Sequence, residues 1–189
     1  MINNGKLIVF SAPSGSGKTT IVKQILQRHP ELEFSISATS RNIRQNEKEG
    51  KDYYFLTSDD FKQKIKNNEF VEWQEVYENQ FYGTLKTELY RIWNNNHHVV
   101  FDVDVVGGLN IKKMYPQQTL AIFVKPPSID ELRNRLMLRS TESKSSLEKR
   151  IAKAQWEMEF ADKFDEIILN DNIETAVDNA DKLIQNFLK

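Results

Sequence analysis

The 189-residue chain contains no cysteine, which excludes a disulfide framework, a thiolate nucleophile and a cysteine-ligated metal. It also lacks an apolar run long enough to span a membrane. Its net charge of −1 gives no overall attraction to nucleic acid or to a membrane surface, so we expect neither as a partner. Residues 1–6 are too short and too polar for a secretion signal. We therefore expect a cytoplasmic protein with one substantial core.

The most informative stretch lies near the N-terminus and reads Phe10-Ser-Ala-Pro-Ser-Gly-Ser-Gly-Lys-Thr-Thr20. It follows the apolar run 7–10 and opens into a segment with apolar residues at helical spacing. The order is therefore a buried strand, a small-residue loop and an amphipathic helix. This context predicts a phosphate-binding loop. The pattern G-x-x-x-x-G-K-[ST] is met except at its first position, where Ala12 stands.

The residues of this loop suit nucleotide phosphates. Gly15 and Gly17 allow backbone N–H groups to point inward, where a side chain would block the anion. Lys18 can reach the terminal phosphates, and the hydroxyl of Thr19 can ligate Mg²⁺. The helix that begins here adds its positive dipole end to the same anion. We predict a nucleotide-phosphate site.

Segments typical of strands and helices alternate at both ends of the chain, which predicts an α/β fold with a mostly parallel sheet. In the middle, strand-like segments at 52–56 and 69–77 and a turn at 79–83 indicate an antiparallel patch. A buried strand over 97–104 ends in Asp102 and Asp104. Ligands bind at the carboxyl ends of such strands. These carboxylates could hold Mg²⁺ or its waters, could contact a second substrate, or could simply lie at a polar edge.

Six of the eight arginines lie in two groups, Arg41 with Arg44 and Arg133 with Arg135, Arg139 and Arg150. Arg41 and Arg44 suit bidentate contact with a phosphate monoester. Arg135, Arg139 and Arg150 flank a polar segment between two predicted helices, and could neutralise charge on a transferring phosphoryl group. Ordinary surface charge remains open for both groups. We expect the three tryptophans to be core residues, and they are Trp73, Trp93 and Trp156.

Taken together, the motifs resemble those of the guanylate kinase family, in which ATP donates a phosphoryl group to GMP. The matching stretches run almost end to end and are Ser11–Thr19, Phe34–Arg44, Gly50–Phe55, Asn68–Trp73, Phe81–Thr84, Phe101–Asp104, Pro126–Ser128, Arg135 with Arg139–Thr141, and Leu169–Asp171. Ala12 is common in this family. Two departures are Val106, where glutamine is frequent, and Ser140, where glycine is usual.

The resemblance implies three structural parts. A P-loop NTPase core with a mostly parallel sheet would comprise residues 1–32, 85–127 and 155–189. An inserted antiparallel GMP-binding domain would span 33–84, and a helical lid would span 128–154. ATP would be the co-substrate and Mg²⁺ the cofactor, and the enzyme would be a monomer or a homodimer.

The resemblance also implies roles for individual residues. The ATP-binding set would be Ala12, Pro13, Ser14, Gly15, Ser16, Gly17, Lys18, Thr19 and Thr20, with Asn170 near the adenine and Thr19 on Mg²⁺. The GMP phosphate would be held by Arg41, Arg44, Tyr53 and Tyr82, and the guanine would be read by Ser35, Glu72, Thr84 and Asp104, with Gly83 and Asp102 in the same site. The catalytic cations would be Lys18, Arg41, Arg135, Arg139 and Arg150.

Three other functions fit parts of the pattern. Non-catalytic guanylate-kinase-like modules bind phosphorylated peptides with the same insertion, and this is the main alternative. A kinase for another nucleoside monophosphate would share the loop and the lid. A regulatory GTPase would explain the D-x-x-G pattern at Asp104–Gly107, but no Asn-Lys-x-Asp base reader follows it.

Overall fold

A computed structural model describes the backbone of residues 5–139 and 144–189, and their side chains except those of 139 and 144–146. Nine strands are present in these ranges: β1 (Leu7–Ser11), β2 (Leu32–Phe34), β3 (Ala38–Thr39), β4 (Tyr54–Phe55), β5 (Phe70–Tyr77), β6 (Gln80–Leu85), β7 (His98–Asp102), β8 (Thr119–Lys125) and β9 (Glu166–Leu169). The α-helices of the same ranges are α1 (Lys18–Arg28), α2 (Ser58–Lys66), α3 (Lys86–Asn94), α4 (Val105–Met114), α5 (Ile129–Arg139), α6 (Lys144–Met158) and α7 (Ile173–Leu188).

The first sheet is parallel throughout and has the strand order β2-β7-β1-β8-β9. Every residue of β1 is buried, because the sheet is covered on both faces. One apolar cluster joins β1 to α1 and α7, and another joins it to α3 and α4. The predicted α/β fold with a mostly parallel sheet is confirmed.

The second sheet has the strand order β4-β3-β6-β5. We predicted an antiparallel sheet here, but it is mixed, because β3 pairs with β4 in parallel while the β3–β6 and β5–β6 pairs are antiparallel. The predicted turn at 79–83 lies mostly in β6. The chain reverses at Asn79, which adopts a left-handed φ of 57°, and pairing resumes directly with Gln80 opposite Tyr77.

The chain passes from the first sheet to the second and back, and the predicted bounds of the insertion, 33–84, stay a prediction. Glu33 and Phe34 belong to the first sheet, where they pair with Val99 and Val100. The chain therefore enters the second sheet after Phe34, and it leaves after Leu85, which is the last residue of β6.

Helix α4 begins at Val105, where the Asp104 side chain caps it by accepting a hydrogen bond from the Gly107 N–H. Trp93 is buried as expected, but Trp73 and Trp156 are both 44% exposed. In the ranges described, no helix has the length and apolarity needed to cross a membrane.

Candidate active site

The predicted phosphate-binding loop connects β1 to α1 and adopts the geometry that its glycines permit. Gly15 and Gly17 have φ angles of 91° and 93°, which a residue with a β-carbon rarely adopts. The loop borders a cleft of about 310 Å³. All nine predicted loop residues line this cleft, and the lining residues are Ala12, Pro13, Ser14, Gly15, Ser16, Gly17, Lys18, Thr19, Thr20, Asp102, Asp104 and Glu157.

The first turn of α1 is joined to the carboxyl end of β7. The Lys18 Nζ atom lies 2.5 Å from Asp102 Oδ1 and donates to the Val103 carbonyl at 2.8 Å. The Thr19 hydroxyl donates to Asp102 Oδ2 at 2.9 Å. Asp102, which we predicted as a GMP residue, therefore makes its polar contacts with the loop.

The loop is held from outside by a residue that follows β9. The Asn170 side-chain amide, which follows β9, donates to the Ser16 carbonyl at 2.6 Å. A β-carbon on Gly17 would lie 2.3 Å from the Asn170 Nδ2 atom, so glycine is required at this close approach. Asn170 is 4% exposed. Its amide fixes the loop, and its predicted place near the adenine stays a prediction.

The arginines that we assigned to the lid differ in placement. Arg150 donates through Nη2 to the Ser14 hydroxyl at 2.6 Å, which brings α6 to the loop. Arg135 donates to Glu131 at 2.8 Å and to the Asn170 carbonyl at 3.2 Å. The Arg139 side chain lies outside the described residues.

A second cleft of about 350 Å³ opens between the two sheets. Its lining residues are Ser37, Tyr53, Glu72, Gln74, Val76, Tyr82, Gly83, Asp102, Val103 and Asp104. Asp102 and Asp104 therefore line both clefts, which meet at the end of β7. The predicted Ser35 lies elsewhere: it is 3% exposed and its N–H donates to the Val100 carbonyl.

Glu72 is the most strongly perturbed group in the second cleft. It is 9% exposed, and burial, supported by the nearby charge of Asp104, raises its pKa to about 7. The Thr84 hydroxyl donates to Glu72 Oε1 at 2.9 Å and opposes the shift. Thr84 is itself fully buried, so it orients the carboxylate instead of facing the cleft.

Arg41 contacts Tyr53 and Tyr82, which line this cleft, but Arg41 and Arg44 are outside the set of described residues that line it. The two terminal nitrogens of Arg41 bind both oxygens of Glu47 at 2.7 Å, and its Nε donates to the Tyr82 hydroxyl at 3.2 Å. Its guanidinium also lies over the Tyr53 ring, 5.2 Å from the centroid. The hydrogen bonds from Arg41 hold the pKa of Glu47 well below its usual range. Arg44 joins through its backbone N–H, which donates to Glu47, while its side chain is exposed.

Sequence reasoning missed four polar side chains at or beside the two clefts: Ser37, Gln74 and Glu157 line them, and Glu47 binds Arg41. Gln74 had a readable signal, since it follows Glu72 by two positions on one strand and therefore shares its face. Ser37 lies two positions after Ser35, so the sequence pattern alone does not show which of the two serines lines the cleft. Glu47 and Glu157 carry no local signal. Burial raises the pKa of Glu157, which the Ser14 N–H and two nearby lysines partly oppose.

Comparison with known proteins places these features in context. A family model described as guanylate kinase matches residues 4–187. Guanylate kinase from Bacteroides fragilis is 55% identical over 183 residues, which cover 97% of this chain and 90% of the relative. The Porphyromonas gingivalis enzyme is 48% identical over 184 residues, covering 97% and 98%. The crystal structure of guanylate kinase from Anaplasma phagocytophilum superposes with a TM-score of 0.76 at 28% identity, covering 96% of this chain and 85% of that one.

Proposed function

The chain belongs to the guanylate kinase family, and on that premise we propose how its two clefts divide the transfer of the γ-phosphoryl group from ATP to GMP. The protein is an enzyme that forms ADP and GDP. The observation that carries the proposal is that Asp102 and Asp104 line both clefts. Two nucleotides bound in these clefts would bring their phosphates together at the end of β7.

ATP occupies the cleft beside the loop in this proposal. The backbone N–H groups around Gly15 and Gly17 and the N-terminus of α1 bind its phosphates. Lys18 leaves Asp102 for the terminal phosphates, because a polyanion attracts an ammonium more strongly than one carboxylate does. Asn170 fixes the loop, and Arg135 and Arg150 approach the phosphates from α5 and α6.

GMP occupies the cleft between the sheets, with its base against Glu72. Guanine offers N1–H and the N2 amino group as adjacent donors, and an ionised carboxylate accepts both. Adenine lacks this pair and would leave the buried carboxylate without partners. The phosphate of GMP lies at the other end, where Arg41, Tyr53 and Tyr82 converge and Arg44 is close in sequence.

The transfer needs no protein nucleophile. A phosphate oxygen of GMP attacks the γ-phosphorus in line, forming the new P–O bond while the bond to the bridging oxygen of ATP breaks and ADP leaves with that electron pair. The chain supplies positioning and neutralises charge through Lys18, Arg41, Arg135 and Arg150. Movement of segment 128–154 over the nucleotides would exclude water from the reaction.

The oxygen donors at the loop fit Mg²⁺, which prefers hard oxygen ligands. The Thr19 hydroxyl and an Asp102 carboxylate oxygen lie 2.9 Å apart at the cleft. Across the described ranges there is no group of three or more acidic, histidine or cysteine side chains arranged for a metal. Such a site suits an ion that keeps ATP phosphates and waters among its ligands, with Thr19 as the protein ligand. When bound, the ion would offset the negative charge of the phosphates.

The test of this proposal is ADP formation from Mg-ATP with GMP, AMP, CMP or UMP as acceptor, each against a blank without acceptor. We expect strong turnover with GMP alone. Turnover with another base would remove Glu72 from the role of base reader. Silence with all four acceptors from folded protein would instead favour the non-catalytic phosphopeptide-binding alternative.

A further inference from the structure

The second sheet is connected to the first at two points, and one buried carboxylate lies beside both. The entering connection is 35–37, between β2 and β3, and the leaving connection is the junction of β6 with α3. Glu88 stands in the first turn of α3 and is 2% exposed. A carboxylate so deeply buried is costly unless hydrogen bonds and an opposite charge compensate it.

Both oxygens of Glu88 accept hydrogen bonds from the region of the second sheet. Oε1 accepts from the backbone N–H of Ile36 at 2.9 Å, in the entering connection. Oε2 accepts from the hydroxyl of Tyr54 at 2.9 Å, in β4. One side chain on α3 therefore binds the entering connection and a strand of the second sheet at once.

The positive charge that compensates the Glu88 carboxylate comes from the core. Arg91, one helical turn later on α3, donates through Nε to Oε2 and through Nη2 to Oε1 of Glu88, both at 2.9 Å. Its remaining nitrogen, Nη1, binds Glu33 in β2. The carboxylate that holds the second sheet is thus itself fixed to the first sheet.

The contacts of Glu88 are linked to the second cleft through residues that line it. The Tyr54 backbone N–H donates to the Ser37 carbonyl at 2.9 Å, and Ser37 and Tyr53 both line the cleft. Glu88 and Tyr54 are outside the set of described residues that line it. A shift of β4 relative to α3 would therefore move Ser37 and Tyr53, two residues that line the cleft, although Glu88 and Tyr54 do not line it themselves.

We propose that Glu88 is a positioning residue for GMP, which sets the orientation of the second sheet relative to the core by binding Ile36 and Tyr54 together. The proposal rests on the assignment of the second cleft to GMP. It predicts a defect in GMP use with no equal defect in ATP use, because the phosphate-binding loop makes no part of this network.

The test uses Tyr54→Phe, which removes one hydroxyl and keeps the ring, and Glu88→Gln, which keeps the shape and removes the charge. We expect the KM for GMP to rise about fivefold in Tyr54→Phe and about tenfold in Glu88→Gln, as loss of a buried hydrogen bond and of a charged one would give. The KM for ATP should stay within about twofold. Tyr90→Phe is the matched control, since Tyr90 lies on α3 and is 47% exposed; it should behave as wild type.

A double-mutant cycle separates positioning from general destabilisation. If Glu88 acts through Tyr54, the GMP defect of the double variant will be smaller than the product of the single defects. Folded variants with unchanged KM for GMP, or with equal rises for ATP and GMP, would overturn the proposal. Wild-type turnover with GMP, and its loss in a Glu72 variant, check the assignment of the cleft separately, so either conclusion can fail without the other.

Discussion

The variant Glu72→Gln should be more stable than the wild type at pH 8 and should use GMP less well. The reason is that the second cleft holds a carboxylate where burial favours the neutral acid. The free enzyme bears the cost of keeping Glu72 charged, and the ionised form is the one that can accept both guanine donors. Glutamine removes the charge but keeps an oxygen that can accept from Thr84.

The size of the stability effect follows from the pKa. Glu72 titrates at about 7 in the folded chain against an ordinary value of 4.5. Between these values the folded state holds a proton that the unfolded state has released, so the free energy of unfolding falls as pH rises through this window. The difference converts to roughly 3 kcal/mol lost above pH 7. Glu72→Gln should recover up to that amount at pH 8 and nothing near pH 4.

The effect on catalysis has the opposite sign. Glutamine would offer guanine one acceptor oxygen, but its amide N–H group would face the second guanine donor and could not accept from it. kcat/KM for GMP should therefore fall by roughly a hundredfold. In the wild type, kcat/KM for GMP should rise by about tenfold per pH unit up to pH 7 and then level off. The GMP phosphate itself titrates near pH 6, and the Glu72→Gln profile provides the correction for it.

Urea unfolding at pH 5 and pH 8, with GMP kinetics across the same range, measures both effects. The reasoning fails if wild type and variant have equal free energies of unfolding at pH 8. It also fails if the ratio of their kcat/KM values for GMP is the same at pH 6 and pH 8, because Glu72 would then keep one charge state throughout.

Three further predictions concern the loop and the core. Lys18→Ala should lower turnover by roughly 10²–10³-fold with an unchanged far-UV CD spectrum. The control is Lys23→Ala, which should retain full activity because Lys23 is exposed on the same helix. Normal turnover in Lys18→Ala would refute the loop assignment. Gly17→Ala should raise the KM for ATP and lower the thermal midpoint, because the new methyl would meet Asn170 at a left-handed φ; wild-type ATP kinetics would contradict this. Burial lowers the pKa of His29, but hydrogen bonds to two carboxylates outweigh burial and raise the pKa. The stability that His29 contributes is therefore present below pH 6.5 and is lost as pH rises through the folded pKa. His29→Gln should lower the thermal midpoint more at about pH 5.5 than at about pH 8.5, and equal losses would count against a charged imidazole.

The parts of the molecule that could be predicted are those encoded locally. The loop needs two left-handed glycines, a lysine and a hydroxyl residue at fixed spacing between a strand and a helix, and all of these can be read from neighbouring letters. The second sheet depends on pairing between distant segments. Its strand β3 has two residues, too few to show a period, and its parallel partner β4 arrives after a 14-residue connection.

The same distinction explains the individual corrections. Ser35 and Ser37 look alike in sequence, and what separates them is that the chain leaves the first sheet between Phe34 and Ala38. The role of Asn170 near the adenine is what the resemblance implies, whereas its contact with Ser16 could not be read from the sequence, because it depends on how β9 ends against a loop 154 residues earlier. Trp73 lies on a strand with one exposed face, and alternation alone does not show which face carries the core.

The charges around the loop suggest why the lid arginines matter for more than the transition state. Among the described residues that line the cleft beside the loop, Lys18 is the one cation, while Asp102, Asp104 and Glu157 are acidic. ATP adds further negative charge to this set, so its phosphates bind well only when other cations accompany them. In the proposed function Mg²⁺ would accompany the nucleotide, and Arg150 donates to the Ser14 hydroxyl of the loop. If ATP binds beside the loop as proposed, its tight binding should therefore require α5 and α6 close to the loop, and the same helices would shield the γ-phosphoryl group from water.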